Sequence, residues 1–205
     1  MTKYYRPLKT FQGPPFTVDA LRLFVAIAVP PEVLEILIDI QNRFKNLDLD
    51  AKWVKPENMH LTLKFLGKTS KVSQIKQGLA KALSNEPELT LSLGGTKVFP
   101  DIKRPRVLGV GLHSACEPLA QLHKNVEEHL APLGFPPESR PFSPHWTLAR
   151  IKSGKNKKLL AQQLNSIGHV ASFKVKSVRL YQSRLTPEGA KYTVLEEFAL
   201  KGTPN

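Results

Sequence analysis

The stretches "MHLTLKFLG" (residues 59–67) and "FSPHWTLAR" (residues 142–150) carry the same pattern, His-x-Thr-Leu, with the histidines 85 residues apart. Apolar and polar residues alternate in both stretches, which predicts that each is a β-strand with one buried face. A short motif can recur by chance, and the alternative is two structural histidines that happen to precede threonines. The leucine after each threonine and the matching strand-like setting favour a true repeat.

Side chains on a strand alternate between its faces, so His60 and Thr62 share one face, as do His145 and Thr147. If the two strands lie together, two imidazoles and two hydroxyls flank one space. This set of groups suits phosphoryl transfer at a small phosphodiester. With ordinary pKa values near 6.5, one histidine can take a proton from water while the other gives one to the leaving oxygen. The threonines would donate hydrogen bonds to phosphate oxygens.

Hydrophobic periodicity predicts the other elements outward from these strands. In chain order they are a doubly covered strand over 21–29, a helix opened by Pro30 and Pro31, the first motif strand ended by Gly67, a helix over 71–84, a strand over 88–95, a strand over 107–113, a helix over 117–133, the second motif strand, a helix over 155–167 and a closing strand over 192–200. Two prolines and clustered positive charge predict a loop over 97–106. A slip of the apolar phase between Val175 and Val178 suggests a bulge in one long strand over 172–185.

The chain also shows a two-fold internal repeat. Each half contains an amphipathic helix and a strand with a His-x-Thr-Leu motif, in a similar order of strands and helices. This repetition predicts an α+β fold in which two similar lobes form one compact unit.

Composition limits the classes of protein that this chain can represent. It has 205 residues, 41% of them hydrophobic, which is enough for a folded core and excludes a wholly disordered chain. No run of about 18 apolar residues is present, so we expect no membrane span. The single cysteine, Cys116, excludes an internal disulfide and fits a reducing, cytoplasmic setting. Thirty Lys and Arg against 17 acidic residues give a net charge of +13, which predicts a polyanionic partner such as RNA.

Five segments, in order from about Leu21 to Leu200, resemble the 2H phosphoesterase superfamily. More closely, they resemble its LigT-like RNA 2′,3′-cyclic phosphodiesterases, also called 2′-5′ RNA ligases. The segments are "RLFVAIAVP", "WVKPENMHLTLKFLG", "RPRVLGVGL", "FSPHWTLARIK" and "LYQSRLTPEGAKYTVL". The resemblance implies a bilobal α+β fold, with two antiparallel sheets around a central cleft and helices outside. We expect residues 1–20 to form an N-terminal arm and residues 21–205 to form a single domain.

The same resemblance implies a reaction and a set of roles. The reaction is hydrolysis of an RNA 2′,3′-cyclic phosphate end to a 2′-phosphomonoester, without metal or other cofactor. His60 would be the general acid that protonates the departing 3′ oxygen, and His145 the general base that activates water. Thr62 and Thr147 would hold the phosphate.

Basic residues near the second motif are further candidates. In relatives an arginine five residues after the second histidine contacts the phosphate, and Arg150 occupies that place. Strict alternation turns Arg150 away from His145, unless the strand ends or bulges at Ala149. Lys103, Arg104 and Arg106 form either a solvated loop or a rim that binds RNA phosphates; the sequence leaves both open.

Alternative functions remain at this stage. The reverse reaction, joining RNA ends through a 2′-5′ linkage, would use the same residues. A basic module that binds RNA ends without turnover is an alternative of another class. We expect a monomer whose partner is RNA with a 2′,3′-cyclic phosphate end, and no membrane association.

Overall fold

The computed structural model describes residues 20–164 and 166–202, so residues 1–19 of the predicted N-terminal arm lie outside the described part. The α-helices are α1 (Pro31–Lys45), α2 (Val72–Leu83), α3 (Glu117–Leu130) and α4 (Lys157–Gln163). The strands are β1 (Leu21–Ala28), β2 (Ala51–Trp53), β3 (His60–Thr69), β4 (Leu89–Phe99), β5 (Val107–Leu112), β6 (His145–Ile151), β7 (His169–Val175), β8 (Ser177–Thr186) and β9 (Gly189–Ala199). The predicted α+β class is confirmed.

The sheet consists of two halves joined at one point. Its strand order is β7-β4-β5-β6-β3-β1-β8-β9, with β2 on β6, and the named strands pair antiparallel. We call β3, β1, β8 and β9 the first half-sheet, and β7, β4, β5 and β6 the second. Between β3 and β6 the register contains the pair Leu61 and Trp146. The two expected sheets are therefore one hydrogen-bonded sheet, divided where the motif strands meet.

Helices cover the side of the sheet opposite the motif histidines. Pro31 fits the first turn of α1 because its missing N–H is not needed there, and the apolar residues of α1 then recur on one buried face. The side-chain amide of Gln41 in this helix donates to the carbonyls of Val54 and Leu148, which fastens α1 to the second half-sheet. α2 packs on α3, and α3 packs against β3. None of the helices in the described ranges is long and apolar enough to cross a membrane.

The predicted bulge between Val175 and Val178 is wrong. β7 ends at Val175 in the second half-sheet, where it pairs with β4, and β8 begins at Ser177 in the first, where it pairs with β1. The phase slip marks the residue at which the chain crosses from one half to the other. Hydrophobic phase reports which face of a strand is buried, and it does not distinguish a bulge from a change of partner.

Three predicted boundaries also differ. β3 continues through Gly67 to Thr69, because Gly67 takes a positive φ of 69° within the strand without ending it. β4 continues past its two glycines to Phe99, so the predicted loop over 97–106 begins only at Pro100. α4 is shorter than the predicted helix over 155–167.

Candidate active site

The two motif strands meet at the junction of the half-sheets. Leu61 of β3 lies opposite Trp146 of β6, and both side chains are fully buried. Because the pairing is antiparallel, the histidine of each strand lies opposite the threonine of the other. All four motif side chains, which are half-buried, share the face that points away from the core; we call it the site face. They are His60, Thr62, His145 and Thr147.

Both imidazoles are oriented by the same hydrogen bond. Nδ1 of His60 lies 2.8 Å from the carbonyl oxygen of Asn58, and Nδ1 of His145 lies 2.8 Å from that of Ser143. A carbonyl oxygen only accepts, so each Nδ1 carries the proton and donates it. Nε2 is therefore the nitrogen that can take a proton when the ring is neutral and give one when it is charged.

The residue that orients each histidine is itself held by a neighbouring strand. The side-chain amide of Asn58 donates to the carbonyl of Ala190 in β9 at 2.8 Å. The ammonium of Lys97 in β4 donates to the hydroxyl of Ser143 at 3.0 Å. Each imidazole is thus fixed through a two-step chain of hydrogen bonds, but the anchoring group is an amide in one half and a cation in the other.

A bulge brings Arg150 to the site face. In β6, Thr147 pairs with Gly109 and Ala149 with Leu108, which leaves Leu148 as the extra residue. Arg150 then lies on the same side as the motif residues, and its guanidinium acts on the pKa values of both histidines. The bulge that the sequence required at Ala149 is therefore present, one residue earlier.

The first motif strand has the same bulge with a different outcome. In β3, Val25 of β1 pairs with Lys64 and Ala26 with Thr62, so Leu63 is the extra residue. The fifth residue after His60 is Phe65, whose side chain is 61% exposed. One half of the site therefore presents an exposed aromatic ring where the other presents Arg150.

Aromatic rings surround the imidazole of His60. Its ring centroid lies 4.7 Å from that of Phe24 and 5.3 Å from that of Tyr192, and Tyr181, which stacks on Phe24, lies 6.3 Å from the imidazole. The pKa of His60 is lowered to about 4, mainly by burial in this nest and further by the positive charge of Arg150, while the hydrogen bond to Asn58 opposes the shift.

His145 has a more polar environment. Phe99 covers one side of its ring at 4.5 Å between centroids, and Lys97 lies close by. Burial lowers its pKa as well, with further lowering from Lys97 and Arg150 and an opposing effect of the Ser143 carbonyl. With the pKa values of both imidazoles lowered, the site without substrate is uncharged at its histidines near pH 7 and cationic at Arg150 and Lys97.

The sequence matches one family twice. The family model described as LigT like Phosphoesterase matches residues 27–109 and, separately, residues 110–192. The chain belongs to the LigT-like phosphoesterase family. Each match contains one His-x-Thr-Leu motif, so the predicted two-fold internal repeat corresponds to two copies of the family unit.

Curated members of the family cover almost the whole described chain. A Methanocaldococcus jannaschii protein named RNA 2′,3′-cyclic phosphodiesterase is 35% identical over 181 residues, which is 87% of this chain and 100% of the relative. A protein of the same name from Aquifex aeolicus is 34% identical over 190 residues, or 90% of this chain and 100% of the relative.

Solved LigT-like structures have the same fold. The crystal structure of a Thermus thermophilus protein has a TM-score of 0.77 at 29% identity and covers 89% of this chain and 99% of that one. Escherichia coli LigT in complex with 3′-AMP has a TM-score of 0.70 at 27% identity and covers 89% of this chain and 98% of that one.

The three basic residues predicted as an RNA rim occupy the loop between β4 and β5. Lys103, Arg104 and Arg106 are all exposed, and the Asp101 carboxylate accepts from the backbone N–H groups of the first two. The loop follows directly after Phe99, the residue that packs on His145. In this LigT-like chain the predicted rim therefore belongs to a loop that starts next to the site.

Two polar groups at the site, Lys97 and Asn58, are not predicted from sequence. The pattern predicts a loop at Lys97 and gives Asn58 no role, whereas for Phe65 it leaves open a core position or an aromatic ring near the cleft that stacks on a base. For Asn58 the signal is local, since it precedes His60 by two residues as Ser143 precedes His145. Lys97 is distant in sequence from both histidines and reaches Ser143 only in the folded chain. For Phe65 no local pattern decides between the two interpretations, because the bulge that exposes it is set by pairing with β1.

Proposed function

We propose that this protein hydrolyses 2′,3′-cyclic phosphate ends of RNA to 2′-phosphomonoesters. The observation that carries the proposal is the pair of imidazoles, each with Nδ1 bound to a carbonyl, on adjacent strands of one face. Between them they can supply the base and the acid that cleavage of a phosphodiester requires. The names of the relatives, RNA 2′,3′-cyclic phosphodiesterase, supply the substrate class.

In the proposed reaction, Nε2 of His145 takes a proton from water as the water oxygen attacks phosphorus. The bond from phosphorus to the 3′ oxygen breaks in line with this attack, and Nε2 of His60 gives that oxygen its proton. One P–O bond forms and one breaks, and the products are a 2′-phosphate and a 3′-hydroxyl. His145 leaves the step protonated and His60 neutral, so exchange with solvent restores both.

Charge on the phosphate is balanced by groups from both strands. The hydroxyls of Thr62 and Thr147 donate to the non-bridging oxygens, and Arg150 faces them with a fixed cation. The phosphodiester anion also raises the pKa of the imidazole that it contacts. In the presence of substrate, His60 therefore takes up from solvent the proton that it lacks in the empty site, and a histidine with a low pKa is a strong acid once it is charged.

The proposal extends to the rest of the molecule. The imidazoles supply both proton transfers, so we propose that no metal ion or cofactor takes part. One chain contributes every group named, which supports action as a monomer, and one hydrophobic cluster spans both half-sheets, which supports a single domain over residues 21–205. The single cysteine supports a cytoplasmic location. Lys103, Arg104 and Arg106 would add contacts to RNA phosphates.

The test is turnover of an RNA oligonucleotide ending in a 2′,3′-cyclic phosphate, in EDTA, with the product identified by phosphorus NMR. We expect a 2′-phosphate, and loss of turnover in His60→Ala and His145→Ala. A 3′-phosphate product would contradict the assigned leaving oxygen. RNA binding without turnover would indicate a module that binds RNA ends.

A further inference from the structure

A second pair of histidines lies on the site face, away from the motif strands. Gly111 of β5 pairs with His145 of β6, so the two residues share that face. His113 follows two residues later, and its backbone N–H donates to the carbonyl of Ser92 in β4 at 2.7 Å. By alternation, His113 lies on the site face at the end of β5.

Gly94 allows the side chains of His113 and His169 to approach each other. His169 of β7 pairs with Gly94 of β4, between the strands that carry the two histidines. A Cβ atom at Gly94 would lie 3.1 Å from Cβ of His113 and 2.4 Å from the carbonyl oxygen of Gly168. Without one, the two exposed imidazoles approach to 5.2 Å between centroids, at 71° to each other.

Hydroxyl groups complete this surface. Nε2 of His169 lies 3.1 Å from the hydroxyl of Ser172, which lies 3.0 Å from that of Ser92. Lys174, the next outward-facing residue of β7, is exposed. We call His113, His169, Ser92 and Ser172 the histidine shelf. Along the described parts of β4, β5 and β7, the site face carries no carboxylate.

The shelf is continuous with the active site. The side chain of Lys97 lies over Gly111, where a Cβ atom would be 2.7 Å from its Cε. His113 is two residues, about 7 Å, further along β5 than Gly111, and β7 is three strands, about 14 Å, from β6. The shelf therefore extends across the sheet from the motif histidines, over a distance that a chain of nucleotides can span.

We propose that the histidine shelf binds the nucleotide upstream of the cyclic phosphate end. Exposed imidazole rings can stack on a nucleobase, and their N–H groups and the serine hydroxyls can donate to a phosphodiester. The RNA strand would enter from the β7 side and end between His60 and His145. This inference rests on the proposed function, since it names how the same site holds a longer substrate.

The experiment compares two substrates with a double variant, His113→Ala with His169→Ala. One substrate is a nucleoside 2′,3′-cyclic phosphate, and the other is a trinucleotide that ends in the same group. We expect the KM of the trinucleotide to rise about tenfold, within the range found when one stacked base contact is removed. The kinetics of the mononucleotide should stay unchanged. His129→Ala, which alters an exposed histidine on α3, is the matched control.

Binding of a trinucleotide 3′-phosphate, followed by fluorescence anisotropy, separates this inference from the proposed function. If no cyclic phosphate is turned over, the proposed function fails, but weaker binding in the double variant still supports the shelf. Unchanged trinucleotide binding and KM in the double variant would overturn it. A triple variant, Lys103→Ser with Arg104→Ser and Arg106→Ser, alters the loop at the opposite end of β5. If trinucleotide binding weakened only in this variant, the proposal would also be overturned.

Discussion

The two motif strands share a backbone and differ in their surroundings. Each has a histidine bound to the carbonyl two residues earlier, a threonine two residues later and a bulge at the third residue after the histidine. Around His60 the neighbours are aromatic, and the fifth residue is Phe65. Around His145 they include Lys97, and the fifth residue is Arg150.

This difference explains how the histidines of two copies of one motif can act as acid and base in the same reaction. An acid and a base in one reaction need different proton affinities, and two identical side chains acquire them only from their environments. Here a deep aromatic nest lowers the pKa of His60 to about 4, whereas cations face His145. The first half of the site is lined by aromatic rings, and the second holds positive charge.

The largest expected effect comes from removing either imidazole. His60→Ala and His145→Ala should each lower kcat by about a thousandfold, within the range of general acid or base catalysis. Each should also remove one limb of the bell-shaped dependence of rate on pH. Rate measurements from pH 4 to 9 test this, and a full bell in either variant would refute that residue's role.

Substitutions of the residues five positions after each motif histidine, Arg150 and Phe65, should affect different kinetic constants. Arg150→Ala should lower kcat by about a hundredfold, the scale for losing one donor to a developing oxyanion, and Arg150→Lys should recover part of the loss. Phe65→Ala should act on KM instead, because its ring can contact a base but not balance charge. Steady-state kinetics on a cyclic mononucleotide check both, and similar effects of the two alanine variants would contradict the division between the halves.

The aromatic nest predicts a titration. Tyr192→Ser should admit water to His60 and raise its pKa above the present value of about 4, since hydration favours the charged ring. NMR titration of the imidazole measures the shift. Without substrate, lowered pKa values of both histidines should place the optimum of kcat/KM below pH 6.5, whereas the phosphodiester anion should move the optimum of kcat upward. A kcat optimum at or below that of kcat/KM would contradict this.

The same lowered pKa affects stability. The unfolded chain binds a proton at His60 near pH 6.5, whereas the folded chain does so only near pH 4. Stability is therefore present above pH 6.5 and falls as the pH is lowered toward 4, by about 3 kcal/mol. Urea unfolding at a series of pH values should show this loss, and His60→Gln should reduce it. If the free energy of unfolding of this variant falls with pH as steeply as that of the unaltered protein, other groups cause the loss of stability.

The smallest effects on kcat are expected from the side chains of Asn58 and Ser143, the residues whose carbonyls orient the two imidazoles. Asn58→Ala removes the amide that holds the first orienting residue to Ala190, and Ser143→Ala removes the hydroxyl that Lys97 holds. Each should lower kcat by a few-fold to about tenfold through a misplaced imidazole, with KM little changed. Ser143→Thr, which keeps the hydroxyl, is the control, and a loss as large as that of Ser143→Ala would point to packing instead.

The sequence by itself determined the chemistry of the motif strands. Period-two alternation set His60, Thr62, His145 and Thr147 on one face of each strand, and the repeat indicated two related halves. These conclusions need only local geometry, because the direction of a side chain on a strand follows from its position. Helix α1 and strand β1 were predictable for the same reason.

Tertiary structure decided which residues complete the site. Arg150 and Phe65 reach the site face because each motif strand bulges against a different partner strand. The lowered pKa of His60 depends on rings from three other strands, β1, β8 and β9. The chain's crossing at Lys176 joins the halves and was indistinguishable from a bulge. Strand pairing and burial link residues far apart in sequence, and no local pattern records them.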